Sequence, residues 1–385
     1  MNHTKIILLI LIICVTATSC IKDEPANMEC DILSASVDEA YAEYFYSPSN
    51  MTIGEIPSGS SQIVFKVRSL NVLPQTVPVT FSLSEGATIS PVNGSAQNFT
   101  SGPVVYTVTS EDGTWKRKYE VVFREASIPS SKMNFEHFEE ETPQANKSTK
   151  YHVFYSLDEQ GNRQDIWASG NAGVAIMSSN WGPEQYPTYA TPDGYSGYGL
   201  CLKTLSAGVF GELFGKPIAA GNLFIGRFIN DNVMTAPLKT TDFGIPIGKE
   251  PVRLSGWYKY SPGPKFTDKN MNVIEGRTDE PSIYGVFWRN TDENGEEVKL
   301  DGSNILSSPY IVSIAQASNL TSTDKWIHFE TDFEGGRADA AVLAEMGYSF
   351  TLVFTSSKAG DQFEGAVGST LYLDEIEVTY AEDRP

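Results

Sequence analysis

Apolar and polar residues alternate with a period of two over the first folded part of the chain. In the segment QIVFKV, Ile63, Phe65 and Val67 share one side, and the same alternation returns in VPVTFSL and VVYTVT. Such alternation is typical of strands that bury one face. The dipeptide Asp112-Gly113 lies between two further strand-like segments and favours a tight hairpin turn. Residues 30–127 are therefore predicted to form an antiparallel β-sandwich.

A Pro- and Ser-containing segment at residues 128–132 predicts a linker to a second, larger β region at residues 133–385. Strand-like runs continue there to the C-terminus: GLCLKTL, PVRLSGWYKY, SIYGVFWRN, WIHFETDF, SFTLVFTSS and STLYLDEIEVTY. A short helix is predicted near residues 338–346. No period of about 20 to 50 residues repeats, which excludes solenoids and propellers.

The first 19 residues have the pattern of a secretory signal peptide. Lys5 supplies a positive charge, and the apolar run IILLILIICV is shorter than the roughly 20 residues that a membrane-spanning helix needs. Small residues then precede Cys20, an arrangement that resembles the lipobox of bacterial lipoproteins. The resemblance implies a lipid on Cys20, with residues 20–29 as anchor and tether. An ordinary cleaved signal peptide is the alternative.

The residues after Cys20 indicate where in the cell the protein is held. Lys22, Asp23 and Glu24 resemble the surface-export signal of Bacteroidetes lipoproteins. The resemblance implies a protein held in the outer membrane by its lipid and facing the cell exterior. The alternative is the start of a solvated linker.

Charge narrows the range of ligands. The 385-residue chain has a formal net charge of −20, whereas nucleic-acid binding needs basic patches. We therefore expect no nucleic-acid partner and a preference for neutral ligands. Outside the signal and anchor only Cys30 and Cys201 remain, too few for a disulfide framework. Two isolated buried thiols are expected, and a disulfide between them is the alternative.

Several blocks of the second region resemble the putative carbohydrate metabolism domain of Bacteroidetes lipoproteins. They are NFEHFE, WASGNAG, YSGYGLCLKT, AAGNLFIGRF, GWYKYSPG and SSKAGDQFEGAVGSTLYLDEIEV, which together span about two-thirds of the chain. The resemblance implies a jelly-roll β-sandwich like that of carbohydrate-binding modules, which takes part in glycan capture or degradation beside outer-membrane glycan-uptake proteins. The first region resembles the immunoglobulin-like (Ig-like) modules of such lipoproteins, which act as spacers.

The segment VRLSGWYKY carries the leading candidate for a sugar-binding face. Its alternation places Leu254 and Tyr258 on a core face and Arg253, Trp257 and Lys259 on the other. Sugars bind to proteins by stacking on aromatic rings, with polar groups bonded to their hydroxyls. A tryptophan among polar residues therefore indicates a polysaccharide or oligosaccharide platform.

Three more aromatic residues are candidates for the same role. Trp181 and Tyr186 lie in the loop NWGPEQYPTY, where they would form a wall. Trp288 lies in SIYGVFWRN, a strand that is amphiphilic on both sides, so the pattern does not decide which of its aromatic residues is exposed. Core packing is the alternative for each aromatic residue.

The resemblance to jelly-roll carbohydrate modules also implies a structural calcium ion between the first and last strands. Carboxylates suit this hard cation, and Glu136, Glu139 and Asp374 lie at the two ends of the domain. Solvated acidic strand ends are the alternative, and no cofactor is required.

Two rival functions remain open. A glycoside hydrolase needs two carboxylates about 5 to 9.5 Å apart, and Asp361 and Glu364 are a candidate pair that turn formation explains equally well. A structural or adhesive surface protein without a sugar site is the other rival. Neither a zinc motif nor a GxSxG nucleophile elbow is present.

Overall fold

The computed structural model describes residues 26–45, 48–54, 56, 61–67, 70, 72–100, 102–125, 130–143, 148–158, 161, 163–176, 178–229 and 235–381. Cys20 and the predicted signal peptide lie outside these residues, as do residues 128 and 129 of the predicted linker. No helix of the described part is long and apolar enough to cross a membrane.

The N-terminal region folds as a β-sandwich, as predicted. Its strands are β1 (Ile32–Val37), β2 (Thr52–Ile53), β3 (Gln62–Val67), β4 (Val77–Leu83), β5 (Thr88–Ser90), β6 (Ala96–Gln97), β7 (Val104–Thr109) and β8 (Lys116–Glu125). Within the described residues one sheet has the order β2-β1-β4-β6 and the other β5-β7-β8-β3. The predicted hairpin joins β7 to β8, but β3 and β8 run parallel, so the sandwich is not wholly antiparallel.

The alternating residues of these strands form the core of this module. Phe65, Val67, Val79, Tyr106 and Val121 are fully or nearly fully buried between the two sheets. Because side chains alternate across a strand, the same pattern leaves the polar residues on the outer faces.

The C-terminal region is a larger β-sandwich. Its strands are β9 (Lys132–Met133), β10 (Phe138–Glu141), β11 (Tyr151–Phe154), β12 (Ser156–Leu157), β13 (Arg163–Gln164), β14 (Trp167–Ala168), β15 (Thr188–Thr191), β16 (Gly199–Lys203), β17 (Leu205–Ser206), β18 (Ile218–Ala219), β19 (Asn222–Phe228), β20 (Thr241–Phe243), β21 (Ile245–Ile247), β22 (Pro251–Ser261), β23 (Phe266–Thr267), β24 (Ser282–Arg289), β25 (Ile311–Gln316), β26 (Thr323–Asp332), β27 (Glu334–Gly335), β28 (Tyr348–Thr355), β29 (Gly365–Ala366) and β30 (Thr370–Tyr380). Each of the six strand-like runs quoted from the sequence overlaps one of these strands.

Two large sheets make the layers of the sandwich. The first, which we call the groove sheet, has the order β14-β19-β28-β24-β25-β27, with β20 paired to β19 and β21 to β28. The second, which we call the platform sheet, has the order β15-β16-β30-β22-β26, with β9 paired to β30. Leu254, Tyr258, Phe287, Phe354 and Leu373 belong to the core between them, so alternate residues of each strand face outward.

The groove sheet is covered on its outer side as well. Phe224, Tyr284, Trp288 and Val353 face away from the main core and pack with Leu300 and other residues as a second apolar cluster. This second layer explains why β24 is apolar on both sides.

The helices are short. They are α1 (Asn171–Ala175), α2 (Gly208–Leu213) and α3 (Ala340–Ala344), with 3₁₀ turns at Glu39–Tyr44, Pro48–Met51, Pro183–Gln185, Pro237–Lys239 and Gly360–Gln362. The helix α3 confirms the one predicted from the sequence, and the Asp339 side chain caps it by accepting hydrogen bonds from the backbone N–H groups of Ala341 and Val342. Cys30 and Cys201 are free thiols, and burial raises the pKa of Cys201 to about 11.

Candidate functional site: a groove on the groove sheet

A groove of about 1140 Å³ opens on the outer face of the groove sheet. Phe224, Tyr284 and Val353 of three neighbouring strands lie in it, and Gln316 extends it along β25. Segments that connect the strands build the walls, from residues 211–222, 237–243, 276–282, 302–307 and 357–363. A concave site of this size holds a ligand of several sugar units or of drug size.

Polar residues fix one wall of the groove. The buried carboxylate of Asp279 accepts hydrogen bonds through Oδ2 from Ser357 Oγ at 2.6 Å, Ser369 Oγ at 2.7 Å and the N–H of Ala366 at 2.8 Å. Thr204 Oγ1 lies 2.5 Å from Ser357 Oγ and extends the network. Asp279 thereby ties the wall at residues 276–282 to the segment that follows β28.

Charged side chains lie around this wall. The Arg277 guanidinium stacks 3.9 Å from the centroid of the Phe266 ring and forms an ion pair with Glu364 at 3.5 Å. Glu280, Lys358 and Asp361 are exposed and line the groove. Partial desolvation of its carboxyl group by the groove wall raises the pKa of Asp361. The wall therefore offers both hydrogen-bond donors and acceptors to a ligand.

Apolar rings also line the groove. Phe214 is 49% exposed at the end of α2, and Phe228 and Phe363 are half-buried in the lining. Lys216 lies 5.9 Å from the centroid of Phe363. Flat apolar rings combined with hydroxyl, amide and charged groups can recognise a pyranose, which has apolar faces and a polar rim.

The predicted sugar-binding face lies on the platform sheet, away from the groove. Trp257 faces outward as expected, but the ring of Tyr195 stacks on it with centroids 4.1 Å apart and planes 10° apart. Tyr195 therefore covers the face of Trp257 that was expected to receive a sugar.

The cations expected beside Trp257 are paired within the protein. Lys259 is buried, bonds Asp193 at 2.6 Å and lies 4.7 Å from the ring centroids of Trp326 and Tyr372. Arg253 forms ion pairs with Asp332 at 2.7 Å and Glu330 at 3.6 Å. Both residues thus stabilise the sheet surface itself.

Two of the predicted ligand-contacting aromatic residues are buried, which corrects that expectation. Tyr186 is fully buried, and its hydroxyl lies 2.5 Å from Thr149 Oγ1 and 2.6 Å from Ser178 Oγ. Trp288 is 1% exposed within the second apolar layer, and its Nε1 donates to the carbonyl of Val298 at 3.4 Å. Trp181 is half-buried and packs edge-on against Tyr186 with centroids 5.5 Å apart. It belongs to a separate small cluster and does not line the groove.

The predicted calcium ligands do not form one site. Glu139 makes two hydrogen bonds to Arg163, at 2.6 and 3.0 Å. Glu136 Oε1 accepts the N–H of Tyr198 at 3.0 Å, and Asp374 Oδ2 accepts the N–H of Ser196 at 2.9 Å. In the described ranges no group of three or more His, Cys, Asp or Glu residues is arranged to hold a metal ion. The expected ligand set is therefore corrected: two of its carboxylates hold a loop in place.

Most of the groove could not be predicted from the sequence. Among its lining residues the sequence predicts only Asp361 as a candidate, and Glu364, the candidate partner of Asp361, pairs with Arg277 instead. The others come from segments scattered between residues 170 and 363. The only local signal was the clustering of Gly and Phe in GVFGELFG, which contains α2 and Phe214.

Known protein families and solved structures match both β regions of the chain. Residues 134–379 match the family described as putative carbohydrate metabolism domain, and residues 45–122 match the family described as SGBP, N-terminal. A structure described as a putative glycoside hydrolase from Bacteroides thetaiotaomicron is 36% identical, covers 93% of this chain and 99% of its own, and superposes with a TM-score of 0.75. A second, described in the same words, from Bacteroides vulgatus is 35% identical, covers 66% of this chain and 99% of its own, with a TM-score of 0.60. Comparison with curated proteins gives no match.

The chain thus belongs to a class of β-sandwich proteins with two matched family regions, the larger of which is described by its relation to carbohydrate metabolism. More particularly, it is a member of the putative carbohydrate metabolism domain family.

Proposed function

We propose that the protein binds a glycan in the groove on the groove sheet. The observation that carries the proposal is a single concave site of about 1140 Å³ that combines exposed and half-buried phenylalanine rings with ionisable and amide side chains. The family description and the two related Bacteroides structures support a carbohydrate as the ligand.

Two kinds of side chain in the groove would contact the glycan in different ways. Phe214 and Phe363 stack on the apolar faces of sugar rings, each ring contributing about 1 kcal/mol beyond area burial. Glu280, Lys358 and Gln316 bond the hydroxyls and so select their configuration. Because association costs rotational and side-chain freedom, we expect micromolar to millimolar affinities.

A glycan array probed with the chain from Met28 onward tests the proposal. Binding to one glycan class is expected, and affinity electrophoresis on that glycan should show retention reduced about tenfold by Phe214→Ala and by Lys358→Ala. Trp115→Ala is the matched control, because Trp115 is 56% exposed in the other module. Retention unchanged by both groove variants would overturn the proposal.

Glycoside hydrolysis is a second candidate function, and one observation favours it. The carboxyl group of Asp361 lies in the groove with a raised pKa, which suits a general acid. A reducing-end assay on the glycan found by the array separates the two functions: hydrolysis predicts product release that Asp361→Asn abolishes, and pure binding predicts none.

We also propose the cellular setting. A lipid on Cys20 would anchor the protein in the outer membrane, and several acyl chains hold a protein stably because each buried methylene contributes about 0.8 kcal/mol. The signal-like residues 1–19 support this proposal. With the groove at the cell surface, the protein would capture glycan for neighbouring uptake proteins.

A further inference from the structure

The platform sheet carries an aromatic surface that the groove does not use. Tyr195 is 45% exposed although one face of its ring is covered by Trp257. The exposed area therefore belongs to the outer face and edges of the ring. Trp326 stands nearly perpendicular to Tyr195, with centroids 6.2 Å and planes 80° apart. The two rings form a floor and a side wall, which we call the Tyr195 platform.

Three anchors hold the floor of the platform in place. Lys259 binds Asp193 before Tyr195, and the carboxylates of Asp374 and Glu136 accept the N–H groups of Ser196 and Tyr198 after it. Gly197 lies at φ +69°, and a Cβ atom there would lie 2.1 Å from Glu136 Oε1, so the loop needs glycine at this point. The ring of Tyr195 is thus fixed before any ligand arrives, which reduces the entropy cost of binding.

Groups that can bond hydroxyls surround the platform. His328 is exposed and lies edge-on to Trp257 with centroids 5.2 Å apart. The side chain of Asp193, which bonds Lys259 through Oδ2, is 67% exposed. A flat ring flanked by an imidazole and a carboxylate matches a pyranose, whose apolar face would stack on the ring and whose hydroxyls would bond the two polar groups.

The residues around the Tyr195 platform favour a sugar, and not another protein, as its ligand. The rest of this sheet face holds the ion pairs of Arg253 with Asp332 and Glu330. The centre of a protein–protein interface is depleted in charged residues, whereas a sugar covers little more than one ring and tolerates charged neighbours.

We propose that the Tyr195 platform is a second binding site, for a neutral glycan through the apolar face of a pyranose. It goes beyond the proposed function, because it is independent of the groove: the two sites lie on the outer faces of opposite sheets. A polysaccharide that engages both sites, on one molecule or on neighbouring ones, gains avidity from the second contact.

Fluorine NMR of the full soluble chain labelled with 5-fluorotryptophan tests the platform directly. Six tryptophans are present in the chain, and none lines the groove, so the signals of Trp257 and Trp326 report on the platform. These signals are assigned with Trp257→Phe and Trp326→Phe. The probes are β-1,4-linked hexasaccharides of glucose, xylose, mannose and galactose, together with maltohexaose.

The proposal predicts a saturable shift of the Trp257 and Trp326 signals with at least one hexasaccharide. Tyr195→Ala should weaken the apparent affinity about tenfold or more, and Tyr195→Leu should do the same while keeping an apolar cover on Trp257. Tyr195→Phe should stay within about threefold of wild type. Trp115→Ala is the control, since Trp115 is an exposed aromatic residue of the N-terminal module, and it should bind like wild type.

The outcome separates this inference from the proposed function. Phe214→Ala, a groove variant, should leave the Trp257 shift unchanged. The platform is overturned if none of the hexasaccharides shifts the two signals, if Tyr195→Ala and Tyr195→Leu bind like wild type, or if Phe214→Ala removes the shift. The groove proposal fails on different variants, those of Phe214 and Lys358 in the glycan-array experiment.

Discussion

Removing the carboxylate of Asp279 should cost the second module much of its stability. The substitution Asp279→Ala removes the acceptor of the neighbouring Glu280 N–H. It also removes the acceptor of three buried donors: the hydroxyls of Ser357 and Ser369 and the N–H of Ala366. All three residues are at most 1% exposed, so bulk water does not replace the carboxylate.

The magnitude follows from these bonds. A hydrogen bond to a charged group contributes roughly 1.5–3 kcal/mol, and an unsatisfied buried donor costs about the same. Ser357 retains its bond with Thr204, which offsets part of the loss. We expect a decrease of about 4 kcal/mol for Asp279→Ala, and about 2 kcal/mol for Asp279→Asn because the amide keeps one oxygen but loses the charge.

Urea unfolding followed by tryptophan fluorescence measures this loss. With a slope of about 2–3 kcal/mol per molar urea, the midpoint of Asp279→Ala should fall by roughly 1.3–2 M. Asp292→Ala is the control: Asp292 caps an exposed turn by accepting the N–H groups of Asn294 and Glu296, and its loss should cost about 1 kcal/mol or less. A midpoint for Asp279→Ala within about 0.3 M of wild type would refute the structural role assigned to the carboxylate.

Three further predictions concern other parts of the chain. Burial raises the pKa of Asp374 to about 6, so the folded protein holds that proton to higher pH than the unfolded chain does. This group's contribution to stability therefore falls as pH rises from about 4 to about 6. Relative to wild type, Asp374→Asn should gain about 2 kcal/mol in unfolding free energy between pH 4 and pH 7, and a difference that stays flat with pH contradicts this. Tyr186→Phe loses buried hydrogen bonds to Thr149 and Ser178 and should lower the unfolding free energy in urea by about 1–2 kcal/mol while glycan retention on affinity gels stays at the wild-type level; reduced retention would mean that Tyr186 contacts ligand after all. Cys20→Ala should release the protein from the membrane fraction and abolish metabolic labelling with a fatty-acid analogue, and persistent labelling would argue against a lipid on Cys20.

The strands could be predicted because successive side chains of a strand point to opposite faces of its sheet. In β22, alternation placed Leu254 and Tyr258 in the core and Trp257 outside, and the structure confirms this. The same rule was ambiguous for β24, where Phe287 belongs to the main core and Trp288 to the second apolar layer. Periodicity reports whether a face is buried, but not which neighbouring segment buries it.

The site was harder to predict because it depends on contacts far apart in sequence. Nothing near Trp257 in the sequence shows that Tyr195, about sixty residues earlier, stacks on its ring. Asp374 and Glu136 were expected to bind a metal, yet each accepts a backbone N–H group of the loop that holds Tyr195. The groove likewise depends on distant residues, since Phe214 and Asp361 come to line one site only when the connecting segments fold over the groove sheet.

A crystal structure of the chain from Met28 onward, bound to the oligosaccharide that binds most tightly on the glycan array, tests the central claim most directly. We predict sugar rings in the groove, with one ring on Phe214 and hydroxyls bonded to Lys358 or Glu280. An ordered oligosaccharide that leaves the groove empty and binds only elsewhere on the protein would contradict the account.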